Sequence, residues 1–137
     1  MSLLCNLRLF VVIVSGSLSV ANANTAFSWP NGAKAAVSLS YDDALPSQLD
    51  TAIPQLNAAG LKGSFYLPLS ADTIQSRLAD WRAAAAQGHE LGNHSLFHQC
   101  AKSLPNRDWV SKDRDLDQTT ASRLVDEIRL GNAFLQA

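Results

Sequence analysis

The chain has 137 residues, of which 47% are hydrophobic, and a formal net charge of −1. This length and composition predict one soluble globular unit once any targeting segment has been removed. Because the sequence has no excess of basic residues, a nucleic-acid-binding function is not expected.

The first 23 residues have the pattern of a secretory signal peptide. Arg8 precedes an apolar run from Leu9 to Val14, and small residues then lead to Ala21-Asn-Ala23, the small-x-small pattern that signal peptidase cuts. A membrane anchor is the weaker alternative, because serine and glycine dilute a core already shorter than the roughly 20 apolar residues that a span needs. We therefore expect a cleaved signal in residues 1–23, a mature domain in residues 24–137 without a stable membrane span, and a secreted or periplasmic protein.

The mature sequence alternates strand and helix patterns, which predicts an α/β fold. Apolar runs over residues 35–40, 61–67 and 89–92 predict three strands, the first of them buried and parallel to its neighbours. Helical spacing predicts helices that end at Gly60 and at Gly88, and a last helix capped by Thr119 or Thr120. Pro54 interrupts the first pattern, so that helix either kinks there or begins near it. The predicted inward-facing residues are Leu49, Ile53, Leu56 and Ala59, then Ile74, Leu78, Trp81 and Ala85, then Leu124, Ile128, Leu130 and Leu135.

Two adjacent carboxylates, Asp42 and Asp43, follow the first predicted strand. Because successive strand side chains point to opposite faces, both can serve one site only if the regular strand has ended or bulged there. The site would then lie at the C-terminal edge of the strand, where α/β barrels and open α/β sheets keep their chemistry. Taken alone, an Asp-Asp pair is more often a solvated turn.

His94 and His98 stand four residues apart, just after the third predicted strand. If the backbone is helical there, both imidazoles project from one face and can bind one divalent metal. Catalytic zinc usually has three protein ligands and an open position for water, so one ligand must come from elsewhere. Asp42 or Asp43 could bind the metal while the other accepts a proton from the metal-bound water. Such a histidine pair alone is more often a surface accident, but two candidate pairs at strand ends favour a shared site.

Three other residues are weaker candidates. His89 does not start a zincin motif, because the next histidine comes one residue too late for His-Glu-x-x-His, and we expect it to be a hydrogen-bonded strand residue. Cys5 would leave with the signal, so no internal disulfide is expected, and Cys100 is interpreted as a spectator. Residues 99–118 form a polar stretch that predicts a solvated loop, with a substrate-facing loop that presents Trp109 to a sugar as the alternative.

Two segments carry a family resemblance. Ser40-Tyr-Asp-Asp-Ala44 resembles the Thr-Phe-Asp-Asp-Gly signature of the polysaccharide deacetylases, the NodB-homology domain of carbohydrate esterase family 4, and His94-Ser-Leu-Phe-His98 resembles their His-Ser/Thr-x-x-His signature. The similarity spans residues 34–136 and departs from the family at Tyr41, Ala44 and Gln99, none of which removes a ligand. The resemblance implies that Asp42 is the general base and that Asp43, His94 and His98 bind the metal.

The resemblance also implies an activity. It indicates a metal-dependent hydrolase that removes N-acetyl groups from a polysaccharide, such as peptidoglycan or a chitin-like N-acetylglucosamine polymer, with metal-bound water as the nucleophile. Zn²⁺ is the expected metal, with Co²⁺, Ni²⁺ or Mn²⁺ as alternatives. The alternative functions are an acetyl-xylan esterase, a small amide or imide hydrolase of the same superfamily, or a carbohydrate-binding fragment without turnover.

The family fold is a distorted (β/α) barrel that is longer than this chain. The resemblance therefore implies that the chain is the N-terminal part of such a barrel, apparently truncated. The acid histidine and the oxyanion donor of the family are expected beyond residue 137, since the chain has three histidines in all. We expect such a part to bind metal weakly, and to turn over no substrate alone.

Overall fold

A computed structural model describes residues 28–137. The predicted signal peptide and Cys5 lie outside the described residues. The chain divides into two units, residues 1–36 and Val37–Ala137, and the described part of the first unit contains a 3-10 turn at Pro30–Gly32. No helix in residues 28–137 has the length and apolarity required to cross a bilayer.

The second unit is a mixed α/β structure, as the alternating pattern predicts. Strands β1 (Ser40–Asp42), β2 (Ser64–Leu67) and β3 (Glu90–Asn93) form a parallel sheet in the order β1-β2-β3. Because all three strands run the same way, their carboxyl ends meet at one edge. The α/β class and the parallel pairing are thus confirmed, whereas closure into a barrel stays a prediction.

Strand β1 begins at Ser40, so the prediction of a strand from residue 35 is wrong. Val37, expected in the core, is 82% exposed. A parallel strand needs a neighbour, and β2 offers one only from Ser64, which pairs with Ser40 and whose N–H donates to the Leu39 carbonyl at 2.9 Å. The strand therefore starts where its partner starts.

Residues 46–58 are helical, with a π-helical turn at Gln48–Ala52 followed by helix α1 (Ile53–Ala58). Pro54 lies in the first turn of α1, directly after the π-helical turn, so the regular α-helix begins near it. Gly60 ends the helix with a φ of +67°, and the Leu61 N–H reaches back to the Leu56 carbonyl at 2.8 Å, which is the Schellman arrangement. Leu49, Ile53 and Leu56 are buried as predicted, while Ala59 lies past the helix end and is exposed.

The predicted helix that ends at Gly88 is two helices, α2 (Asp72–Ser76) and α3 (Leu78–Ala86), which are separated at Arg77 by a φ of −133°. The break shifts the helical phase, so Ala84 is buried where Ala85 was predicted. The core beneath the sheet contains Trp81 together with Phe65, both fully buried. Gly88 ends α3, as predicted.

The last helix, α4 (Ala121–Leu135), is capped by Thr120, whose hydroxyl accepts the Arg123 N–H at 3.2 Å. Its predicted inward face is partly wrong, because Ile128 and Leu130 are 42% and 57% exposed. The face that is buried or half-buried consists of Leu124, Glu127, Gly131 and Leu135. Asn93, the last residue of β3, donates from Nδ2 to the Ile128 carbonyl and to Asn132 Oδ1, and so contacts α4 beside the buried Gly131.

Candidate metal centre

The carboxyl edge of the sheet brings together Asp43, which follows β1, and His94 and His98, which follow β3. Asp43 Oδ1 lies 3.5 Å from His94 Nε2 and 3.7 Å from His98 Nε2. The two imidazole rings are 4.5 Å apart, centroid to centroid, and inclined at 45°. One side-chain atom from each residue can be chosen so that the three lie within 4.8 Å of one another.

This donor set fits a divalent metal. With bonds of about 2.0–2.2 Å, two ligand atoms on a tetrahedral ion are separated by roughly 3.3–3.6 Å, close to the separations between Asp43 and each histidine. The side chains of His94, His98 and Asp43 are 29%, 46% and 50% exposed, so one side of the group is open. Three protein ligands with an open side are typical of catalytic sites.

Asp42, the fourth predicted site residue, lies outside this group of three. It is the last residue of β1 and is exposed, whereas the preceding Tyr41 stacks on Phe65 with 4.9 Å between ring centroids. Asp42 and Asp43 therefore occupy different places in the structure, although they are neighbours in the sequence. Asp43 lies with the histidines, and Asp42 is one residue away at the end of the strand.

The segment that carries the histidines is an irregular loop, so the helical interpretation of residues 94–98 is wrong. Ser95 and His98 have left-handed φ values of +64° and +51°. The loop is closed by two side chains, because Asn93 Oδ1 accepts the Ser95 N–H at 2.8 Å and Ser95 Oγ accepts the His98 N–H at 2.9 Å. The Ser70 N–H also donates to the Leu96 carbonyl at 2.9 Å, which ties the loop to the segment after β2.

The turn that carries Asp43 is also left-handed. Asp43 and Ala44 have φ values of +76° and +51°. A residue other than glycine in this region costs about 1–3 kcal/mol, and such residues concentrate at functional sites. Four of the six described non-glycine residues with positive φ lie in the two site segments, and the other two are asparagines, which tolerate this conformation.

The third histidine, His89, is hydrogen-bonded as expected, but it lies just before β3 and is not a strand residue. It is buried, its Nδ1 accepts the Gly63 N–H at 3.2 Å, and its Nε2 lies 3.1 Å from Asn57 Oδ1. Because Nδ1 is an acceptor, the neutral ring donates from Nε2. Burial, reinforced by the charge of Lys62, lowers the pKa of His89 below its usual 6.5.

A cavity of about 710 Å³ adjoins the candidate site. Asp43 and His98 line it together with residues of the polar loop, including Trp109 and Arg114. Trp109 is 65% exposed, and Arg107 lies over its ring at 5.4 Å from the centroid. Cys100, which carries a free thiol, also lines the cavity and lies outside the group of three candidate ligands.

Sequence reasoning missed the residues that hold the two site segments in place. Gln48 and Thr73 bind carbonyls of the Asp42–Ala44 turn, and Asn93 binds the histidine loop. Gln48 gave no signal in the sequence, because only the structure shows that it is 5% exposed. A polar residue of a helix that is buried usually has a specific partner.

One comparison with known proteins gives a match. The family model described as polysaccharide deacetylase matches residues 29–132. That range contains both neighbouring carboxylates and both histidines of the candidate site. No curated protein and no solved structure matches the chain.

Proposed function

The chain belongs to the polysaccharide deacetylase family, and we propose that it is a metal-dependent hydrolase that removes N-acetyl groups from a polysaccharide. The family supports a hydrolase of the deacetylase type. The observation that carries the metal-dependent part is the convergence of Asp43, His94 and His98 from two distant segments. Such a set of two imidazoles and one carboxylate favours Zn²⁺, with Co²⁺, Ni²⁺ and Mn²⁺ as alternatives.

The proposed roles follow from position. When bound, a divalent ion lowers the pKa of a coordinated water and polarises the acetyl carbonyl. Asp42 is exposed and adjoins the ligand Asp43 in the chain, so its carboxylate is suited to accept the proton of the attacking water. His89 is unsuited to protonate the departing amine, because it is buried and engaged at both ring nitrogens.

The cavity beside Asp43 and His98 is the proposed place for the polysaccharide. It is bounded on the loop side by Trp109, whose exposed ring could stack on the apolar face of a sugar. Removal of this ring in Trp109→Ala should therefore raise KM for a polymeric substrate more than it lowers kcat.

Metal content tests the proposal directly. The purified protein should bind zinc weakly, and His94→Ala, His98→Ala and Asp43→Asn should each lose most of that binding. Asp72→Asn is a matched control, because Asp72 is exposed and lines the same cavity but is not one of the three ligands. Failure of the unaltered protein to bind any divalent metal would overturn the proposal.

Acetate release tests the substrate. Residues 24–137 alone are expected to turn over no substrate, so kinetic assays use a protein that carries the complete family domain. We expect that protein to release acetate from N-acetylglucosamine oligomers or peptidoglycan, with acetylated xylan as the contrasting ester substrate. Release from xylan alone would replace the proposed amide hydrolysis by ester hydrolysis.

A further inference from the structure

We propose that Gln48 and Thr73 are positioning residues that hold the left-handed turn at Asp43 and thereby set the metal affinity of the site. This inference rests on the proposed function. Neither residue is among the three candidate ligands. Gln48 binds the backbone carbonyl of Asp42, before Asp43, and Thr73 binds the backbone carbonyl of Ala44, after it.

The turn needs to be held because its backbone conformation is unfavourable. Asp43 and Ala44 are consecutive left-handed residues, and neither is glycine. Strand β1 ends at Asp42, and the Asp43 N–H still donates to the Tyr66 carbonyl at 3.1 Å. The change from extended to left-handed backbone at Asp43 redirects its carboxylate from the alternating strand pattern towards the histidine loop.

Gln48 holds the carbonyl that precedes Asp43. Its Nε2 donates to the Asp42 carbonyl across the start of the helix, and the side chain is buried. Among the described residues its Oε1 has no hydrogen-bond partner, which destabilises a buried amide. A purely structural role would be served better by an apolar side chain of similar length. Among the described residues, the hydrogen bond that the Gln48 side chain makes is the one to the turn.

Thr73 holds the carbonyl that follows Asp43. Its Oγ1 donates to the Ala44 carbonyl at 2.6 Å and accepts the indole N–H of Trp81 at 3.2 Å. An indole nitrogen can only donate, so the hydroxyl proton is left for the carbonyl. Thr73 and Trp81 are both buried, at 4% and 0% exposure. The carbonyls on both sides of Asp43 are therefore fixed by buried donors from two different helical segments.

Loss of either donor should release the turn without removing a ligand. A freed carbonyl lets Asp43 and Ala44 return to right-handed conformations, which moves the Asp43 carboxylate away from the two imidazoles. Residues that orient metal ligands in this way typically affect metal affinity by about 10- to 100-fold when they are lost.

The test compares zinc affinity in Gln48→Met and Thr73→Val, measured by competition with a chromogenic chelator. Both changes keep the approximate side-chain volume and remove the donor. Each should weaken zinc binding by about tenfold or more. Thr73→Ser retains the hydroxyl and should bind zinc nearly as tightly as the unaltered protein. Gln55→Met is the matched control, since Gln55 is an exposed glutamine of the same helical region and should leave affinity unchanged.

A second measurement separates positioning from general stability. Urea unfolding in the presence of a chelator gives the folded fraction of each metal-free variant. Zinc binding by the unaltered protein together with undiminished binding by both donor variants would overturn this inference alone. An affinity loss that vanishes after correction for the unfolded fraction would also overturn it. Absence of zinc binding by the unaltered protein would remove both the inference and the proposed function.

Discussion

At the residue scale, the two neighbouring carboxylates differ in what their positions allow. Asp43 Oδ1 lies 3.5 and 3.7 Å from the Nε2 atoms of His94 and His98, so the three can share one ion. Asp42 is the last residue of β1 and is not one of these three residues. The sequence alone left the roles of the two residues open, and only the family resemblance assigned them. The two residues also differ in position, because β1 ends at Asp42 and Asp43 lies beside the two imidazoles, while their roles as base and ligand stay predictions.

We expect substitutions of Asp42 and Asp43 to affect zinc binding and substrate turnover differently. Asp42→Asn should keep the zinc content of the protein and lower kcat by about 10²- to 10⁴-fold, because a general base is lost while the ligands stay. Asp43→Asn should lose zinc and activity together. Metal analysis beside steady-state kinetics checks both, and a loss of zinc in Asp42→Asn would contradict the assignment.

His89 gives a pH dependence that is separate from the metal. Its pKa is below 6.5 in the folded state, chiefly because of burial, so the unfolded chain takes up a proton first as the pH falls. The free energy of unfolding should therefore be fully maintained above pH 6.5 and decrease as the pH falls through 6.5 towards the folded pKa.

Urea unfolding between pH 7.5 and pH 5 measures this effect. The double variant His94→Ala, His98→Ala should show the same decrease, because His89 is intact. In His89→Gln the decrease should be absent even if overall stability is lower. Asp113 and Asp117 also have lowered pKa values, owing mainly to hydrogen bonds from Ser111 and Ser103, but they act only below about pH 4. A pH-independent unfolding free energy in the double variant would contradict the prediction.

At the element scale, the contact between α4 and β3 links packing to the site. Asn93 Nδ2 donates to the Ile128 carbonyl and to Asn132 Oδ1, each at 2.8 Å, while its Oδ1 binds the histidine loop. Gly131 lies beside it, and a Cβ there would be 2.7 Å from Asn93 Nδ2. The absent side chain at Gly131 thus makes room for the residue that orders the loop.

Gly131→Ala should therefore destabilise the protein, although alanine is the better helix former. Overpacking costs about 1–3 kcal/mol, which exceeds the gain of roughly 1 kcal/mol in helix propensity. We also expect weaker zinc binding, because Asn93 must move. Urea unfolding and chelator competition test this, with Ala133→Gly on the exposed face as the control for propensity alone. A Gly131→Ala protein that is more stable than the original would refute the account.

The apolar pattern could predict the existence of α4 but not its rotation. The pattern favoured Ile128 and Leu130 as inward residues, whereas Glu127 and Gly131 are buried. Glu127 is accommodated because Arg123 Nε donates to it at 2.9 Å and Gln99 Nε2 donates to its other oxygen. Hydrophobic periodicity carries no information on such polar partners, and Gln99 comes from a distant segment.

At the scale of the whole molecule, the α/β class and the order of strands and helices could be predicted from the alternating patterns. Strand bounds could not, because each strand extends only where its neighbour runs beside it, as Ser40 and Ser64 show. The position of the site at the carboxyl edge followed from topology. The barrel and the expectation that residues 24–137 alone turn over no substrate stay predictions, the latter checked by acetate release from that purified segment.

Zinc should raise the stability of the folded chain in a predictable way. A ligand that binds only the folded state adds about 1.4 kcal/mol for each tenfold increase in its free concentration above Kd. Thermal unfolding in zinc buffers should therefore show a Tm that rises with the logarithm of free zinc. In His94→Ala the Tm should be independent of zinc, and an equal rise in that variant would show that the ion binds elsewhere.

The proposed ligands come from the segments after β1 and β3, the two outer strands, and none comes from the central strand β2. A shared ion would act like a removable crosslink, closing a chain loop of about fifty residues. In single-molecule experiments that pull the two chain ends apart, the domain should then unfold at a higher force when zinc is present. It should also lengthen in an additional step when the bonds to the ion break.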